Sequence, residues 1–149
     1  MASTVTAGTL TVTIQESITL NNRDRGGSTT LSVSSIGEIA NRIVSVASGS
    51  EVELIKFGAA GRGEFVAANL KYLRLTNLDD TNFVRLRFSR TSGHTADFKL
   101  PAGKSFILTE EDISVHATAG AFSSFSAMTN INARADTAAV DVEYYVATT

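Results

Sequence analysis

Residues Leu70 to Leu108 read LKYLRLTNLDDTNFVRLRFSRTSGHTADFKLPAGKSFIL. Tyr72, Arg74 and Thr76 alternate with Leu73, Leu75 and Asn77. After a polar LDDTN turn, Val84, Leu86 and Phe88 alternate with Arg85, Arg87 and Ser89. A two-residue rhythm bounded by turn residues is the mark of half-buried antiparallel strands, with charge on one face and aliphatics on the other. The stretch reads as a central hairpin. Two more turns follow it: TSGHT, with His94 at a solvent-facing hairpin tip, and PAGK, a hairpin turn with proline first and glycine third.

The same rhythm extends outward. Leu10, Val12 and Ile14 alternate with Thr9, Thr11 and Thr13, and Ile18 and Leu20 resume the pattern. β-Branched residues suit that pleated setting. Asn21 to Ser28 reads as a polar loop. Thr30 to Ser34 and Arg42 to Val46 are strand candidates. Ile36, Ile39, Ala40 and Ile43 fall at helical spacing, so strand and helical turn are both open there. Glu51 to Phe57 carries apolar groups on both faces and reads as a strand covered on two sides. Ile113 to Ala117 is a short strand candidate, and Ala119 to Asn130 reads as a loop with aromatic anchors. Val140, Val142, Tyr144 and Val146 form one face of a final strand. This gives about eight to ten strands at the spacing of sandwiches and barrels. No long helical pattern separates them, which argues against a parallel α/β sheet. The expected fold is an all-β, single-domain antiparallel sandwich, jelly-roll-like, over residues 9–149, with residues 1–8 as an N-terminal arm. An immunoglobulin-like strand order gives the same local pattern.

Composition narrows the function. At 149 residues the chain buries roughly 70% of its unfolded surface and needs neither metal nor disulfide to fold. With 43% hydrophobic and 19% charged residues it is not a charged disordered chain. A net charge of -2 gives no overall pull toward nucleic acid or anionic membrane, so neither is an expected partner. The absence of cysteine excludes disulfides and thiol chemistry. The opening MASTVTAGTL lacks the basic and apolar regions of a secretory signal, and no apolar run reaches the roughly 20 residues of a membrane helix.

No motif for catalysis survives inspection. Gly103-Lys104-Ser105 resembles the end of a phosphate-binding loop, but Phe98 stands where that loop needs glycine. Gly58, Gly61 and Gly63 have the wrong spacing for a dinucleotide fingerprint and read as a surface loop. His94 and His116 lack paired-ligand spacing. Asp79 and Asp80 read as turn formers rather than calcium ligands. Glu110 to Asp112 reads as a solvated acidic loop. Neither an enzyme nor a cofactor or metal is expected. Lys71, Arg74, Arg85, Arg87 and Arg90 would make one basic hairpin, facing solvent or another subunit. The candidate interface residues are Arg23, Arg25 and Arg62 in loops, Arg85 and Arg87 on the hairpin, and Phe122 and Phe125 as aromatic anchors.

Four passages also carry a family resemblance: TLTVTIQESITLN at Thr9 to Asn21, RLTNLDDTNFV at Arg74 to Val84, LPAGKSF at Leu100 to Phe106, and ADTAAVDVEYYVA at Ala135 to Ala147. Together they resemble small β-rich virion proteins of tailed bacteriophages, marine ones in particular. The resemblance implies a structural role in a phage particle and does not itself choose between capsid exterior, tail and fibre; the capsid exterior, after synthesis in the host cytoplasm, is the expected location. A capsid decoration protein is the leading expectation: a homo-oligomer, expected as a trimer, bound to the major capsid protein or other virion proteins. A tail, baseplate, fibre or tube subunit is the alternative, and a carbohydrate-binding module the further one. The resemblance assigns no functional residues.

Overall fold

The computed structural model describes residues 4–59, 61, 63–90, 93–109, 114–115 and 126–149. The strands are β1 (Gly8–Glu16), β2 (Thr19–Leu20), β3 (Arg23–Asp24), β4 (Gly27–Ile36), β5 (Glu38–Val46), β6 (Val52–Lys56), β7 (Leu70–Asn77), β8 (Val84–Arg90), β9 (Thr95–Leu100), β10 (Ser105–Leu108), β11 (Ser114–Val115), β12 (Ser126–Ala135) and β13 (Val140–Thr148). One turn of 3-10 helix, Ala67–Asn69, precedes β7.

Two antiparallel sheets face each other. The first runs β10-β7-β13-β5. In the second, β9, β8 and β12 are neighbours, and β6 and β11 both pair with β12. Leaving out the two-residue β11, the eight sandwich strands pair in a nested way: β5 with β13, β6 with β12, β7 with β10, β8 with β9. This first-with-last nesting is a hairpin rolled up on itself, the jelly roll. Strand order thus separates the jelly roll from the immunoglobulin-like alternative.

The LDDTN stretch is a correction. β7 and β8 do not pair, because the connection between them crosses from one sheet to the other. The PAGK turn crosses back the same way, from β9 to β10. Only TSGHT joins paired strands, β8 and β9, and His94 is exposed there. The reason is burial. Leu73 and Leu75 on β7 and Val84 and Leu86 on β8 all have no exposed surface. A flat hairpin would leave both apolar rows on one open face. Crossing sheets lets the rows pack against each other, at roughly 1.5–3 kcal/mol per side chain.

Between Ile36 and Ile43 the structure chooses strand. β5 begins at Glu38 and pairs with β13 without a register shift from Val46↔Val140 to Glu38↔Thr148. On β6 the two-sided burial does not occur. A register irregularity opposite Ile131 and Asn132 lets Leu54 and Ile55 both enter the core, while Glu53 and Lys56 stay exposed. A bulge reverses the side-chain alternation, which a single-strand reading takes for two apolar faces.

β12 is the element the sequence reading missed; it placed a loop up to Asn130. A bulge between Met128 and Asn130 breaks the alternation, so the buried positions are Met128, Ile131, Ala133 and Ala135. Small residues and a parity break conceal a strand that lies at the centre of its sheet.

Outside the sandwich lies a two-stranded ribbon. β1 pairs with β4 from Gly8↔Ile36 to Glu16↔Gly27, and β2 with β3 beyond it. What reads as a polar loop, Asn21 to Ser28, is therefore the ribbon's tip and the start of β4. Asn21 and Asn22 take φ of 53° and 58°, the consecutive left-handed pair that a tight hairpin turn requires. Gly26 is required by close approach, since a Cβ there would collide with the Glu16 carbonyl oxygen.

Candidate interaction surfaces

The two outer faces of the sandwich differ in chemistry. On the second sheet, β8 sits between β9 and β12, and its outward row is Arg85, Arg87 and Ser89. Arg87 grips Asp97 with two parallel bonds, Nε to Oδ1 and Nη2 to Oδ2, each 2.8 Å. Its Nη1 lies 2.7 Å from Glu51, and Arg85 pairs with the same Glu51. Hydrogen bonding to Asp97 holds the Arg87 guanidinium charged well above its ordinary range, and in return Arg87 holds the Asp97 carboxyl below its own. Asn132 donates to Glu51, Asn130 to Glu53, and Arg134 to the Ser48 carbonyl. The face is a lattice of opposite charges with internal partners.

This lattice revises the sequence reading of the arginines. Arg85 and Arg87 are engaged within their own chain. Lys71 and Arg74 belong to the other sheet, and Arg74 Nη2 bonds Glu143 at 2.8 Å. The one basic hairpin therefore does not exist: its two halves lie on different sheets, a consequence of the crossing at LDDTN.

The outer face of the first sheet is mixed, with exposed apolar side chains beside the Arg74–Glu143 ion pair. Register places Ile39 and Ile43 on β5 opposite Ala147 and Glu143 on β13, and Tyr145 and Ala147 opposite Arg74 and Tyr72 on β7. The base of the ribbon lies across this face: Leu10, Val12 and Val33 pack on Ile36, Tyr72, Tyr145 and Ala147. Tyr72 and Tyr145 meet edge to face, centroids 5.8 Å apart. Burial pushes the Tyr72 phenol up from its ordinary value.

The cover is incomplete. Ile14 (43% exposed), Ile18 (53%) and Leu20 (57%) continue the ribbon's apolar row beyond its packed base. Ile39 (54%) and Ile43 (62%) remain open on β5. Clefts of about 360 Å³ (between the ribbon base and Ile39) and 250 Å³ (under Leu10 and Val12) separate ribbon from sheet. Arg23 and Arg25 stand at the ribbon tip, exposed, with no ion pair among the described residues. The first sheet's long edge is open as well: among the described residues β5 pairs on one side only, along nine residues without proline.

Other sequence candidates fare differently. Arg62, Phe122, Phe125, His116 and Glu110 to Asp112 lie outside the described residues. In the glycine-dense loop, Lys56 Nζ bonds Glu64 at 2.6 Å and Phe57 bridges to Phe65, so the described part folds back on itself. Asp79 is a turn former: its carboxylate accepts the backbone N–H groups of Asn82 and Thr81, which lower its affinity for a proton. Phe98, 44% exposed, packs against Phe88 and Phe106 at 5.3 Å rather than standing as an open platform. Among the described residues no three His, Cys, Asp or Glu side chains come together as a metal site. No helix among them is long and apolar enough to cross a membrane.

Of this surface the sequence reading names Arg23 and Arg25, which the structure places at the ribbon tip, but not the apolar row from Leu10 to Leu20 or its seat on β5. Compared with known proteins, the chain matches no family model and no curated protein.

Proposed function

We propose that this chain is a structural subunit of a tailed-phage particle. The leading form of the reading is a capsid decoration protein that binds as a homo-oligomer between capsomers on the outside of the shell. The observation that carries it is the β-ribbon Gly8–Ile36, which extends an apolar row past the jelly-roll body. A lone two-stranded ribbon is marginal in water, so an exposed one of this length calls for a covering partner. The opposite outer face suits solvent, because its charges already have partners. The resemblance to virion proteins supplies the particle, and the geometry supplies a means of attachment. In this role the chain works by buried surface and performs no chemistry.

A second reading, a repeating tail-tube or fibre subunit, is favoured by the open edge of β5, since an unprotected edge propagates pairing from copy to copy. The test is immunogold electron microscopy of phage particles whose genome encodes the chain. Label spread over the shell supports decoration, label along a tail or fibre supports the second reading, and unlabelled particles overturn both.

A further inference from the structure

The ribbon tip and the open face of β5 are complementary. In the tip hairpin Leu20 pairs with Arg23, so an aliphatic side chain and a guanidinium stand side by side on one face. On the sandwich Ile43 pairs with Glu143, and Asp141 pairs with the next outward residue, Ser45. There an aliphatic side chain stands beside the carboxylate of Asp141 and beside Glu143, which Arg74 already bonds. Asp141 has no ion pair among the described residues, nor has Arg23. The strand lengths also match: nine residues in β1, ten in β4 and nine along the free edge of β5.

We propose that the ribbon tip of one copy docks on the first sheet of a second copy, Leu20 against Ile43 and Arg23 against the carboxylate of Asp141. This deepens the structural-subunit reading and rests on it. The occupant is another copy of this chain because each copy carries both halves of the match. The contact is head to tail: tip on seat, never tip on tip. Such contacts generate closed rings when the rotation between copies closes, and filaments when it does not. Each copy in a ring makes the contact twice. A specific interface buries about 800 Å² on each partner, so tip and seat each supply about that much at every contact. Opposite charges beside the apolar pair set orientation and favour encounter.

The test is sedimentation of the full chain across a concentration series, with two single variants. Leu20→Asp breaks the tip and keeps the seat. Ile43→Asp breaks the seat and keeps the tip. Both positions are exposed, and circular dichroism checks that the fold is retained. The parent is expected to form a ring or an open polymer, and each variant alone a monomer with association weakened at least tenfold. An equal mixture of the two is expected to form a one-to-one heterodimer and nothing larger, since one intact tip and one intact seat remain. A monomeric parent, a variant of parental mass, or a mixture that stays monomeric overturns the proposal. A monomeric parent that still labels phage particles would sink tip docking and leave the virion reading standing. The heterodimer without label on particles would do the reverse.

Discussion

The side-chain amide of Asn77 donates to the main-chain carbonyl of Leu100 at 3.2 Å, tying the end of β7 in one sheet to the end of β9 in the other. The same Nδ2 reaches the Asn82 carbonyl at 2.9 Å, and Oδ1 accepts the Asp79 N–H at 3.0 Å. Its main-chain N–H bonds the Lys104 carbonyl at 3.0 Å. One fully buried residue thus fastens two of the connections that cross the sandwich, Leu78–Phe83 and Pro101–Lys104.

Replacing Asn77 by leucine is expected to destabilise the fold by about 2–3 kcal/mol, because the Leu100 and Asn82 carbonyls and the Asp79 N–H lose their partner while the branched shape is kept. Urea unfolding followed by circular dichroism reads this as a lower midpoint with an unchanged slope. A midpoint within error of the parent would show that the carbonyls find other donors.

Removing the Tyr145 ring is expected to free the ribbon without unfolding the sandwich. Tyr145→Ala deletes the edge-to-face contact with Tyr72 and part of the floor under Leu10 and Val12, worth about 1–2 kcal/mol. Amide hydrogen exchange across β1 and β4 would accelerate about tenfold, while amides of β7 and β12 keep their protection. Equal loss of protection in both regions would mean that ribbon and sandwich open together.

Acid is expected to weaken the fold below about pH 4, the ordinary carboxylate range. Arg87 lowers the proton affinity of Asp97, and the N–H groups of Asn82 and Thr81 lower that of Asp79. The unfolded chain therefore takes up these protons first as pH falls. The stability from both groups is present above the unfolded value and is lost as pH drops through the depressed folded values. Melting temperatures from pH 7 to pH 2.5 would show this. Asp97→Asn would melt below the parent at neutral pH, and the gap would narrow in acid. A constant gap would assign the loss to packing rather than charge.

Gly103 is expected to resist substitution for its backbone alone. Its φ is 65°, and a Cβ built there meets nothing within 4 Å. Gly103→Ala would cost about 1 kcal/mol through the left-handed conformation, and Gly103→Asn less, since asparagine visits that region more readily. Thermal unfolding of the pair would rank them. Equal melting temperatures for alanine and parent would show that the turn rearranges.

The sequence by itself determined the two-residue rhythm, and with it the strand class, the faces of β1, β7, β8 and β13, and the turns at LDDTN and PAGK. Those are local properties: each follows from which side of the backbone successive side chains take. It missed β12 because one bulge at Met128–Asn130 reverses that alternation, and it misjudged β6 for the same reason. Pairing is a different kind of fact. Nothing between Asn77 and Val84 distinguishes a hairpin from a crossing, since both connections use the same turn residues. Tertiary structure alone decided that β7 and β8 lie in opposite sheets, with both of their apolar rows buried in the core between them. The tertiary pairing likewise decides which distant charges meet, as Arg74 with Glu143, and which apolar side chains stay uncovered, Leu20 and Ile43. Partners distant in sequence are selected by the burial of the whole assembly, which no local pattern contains.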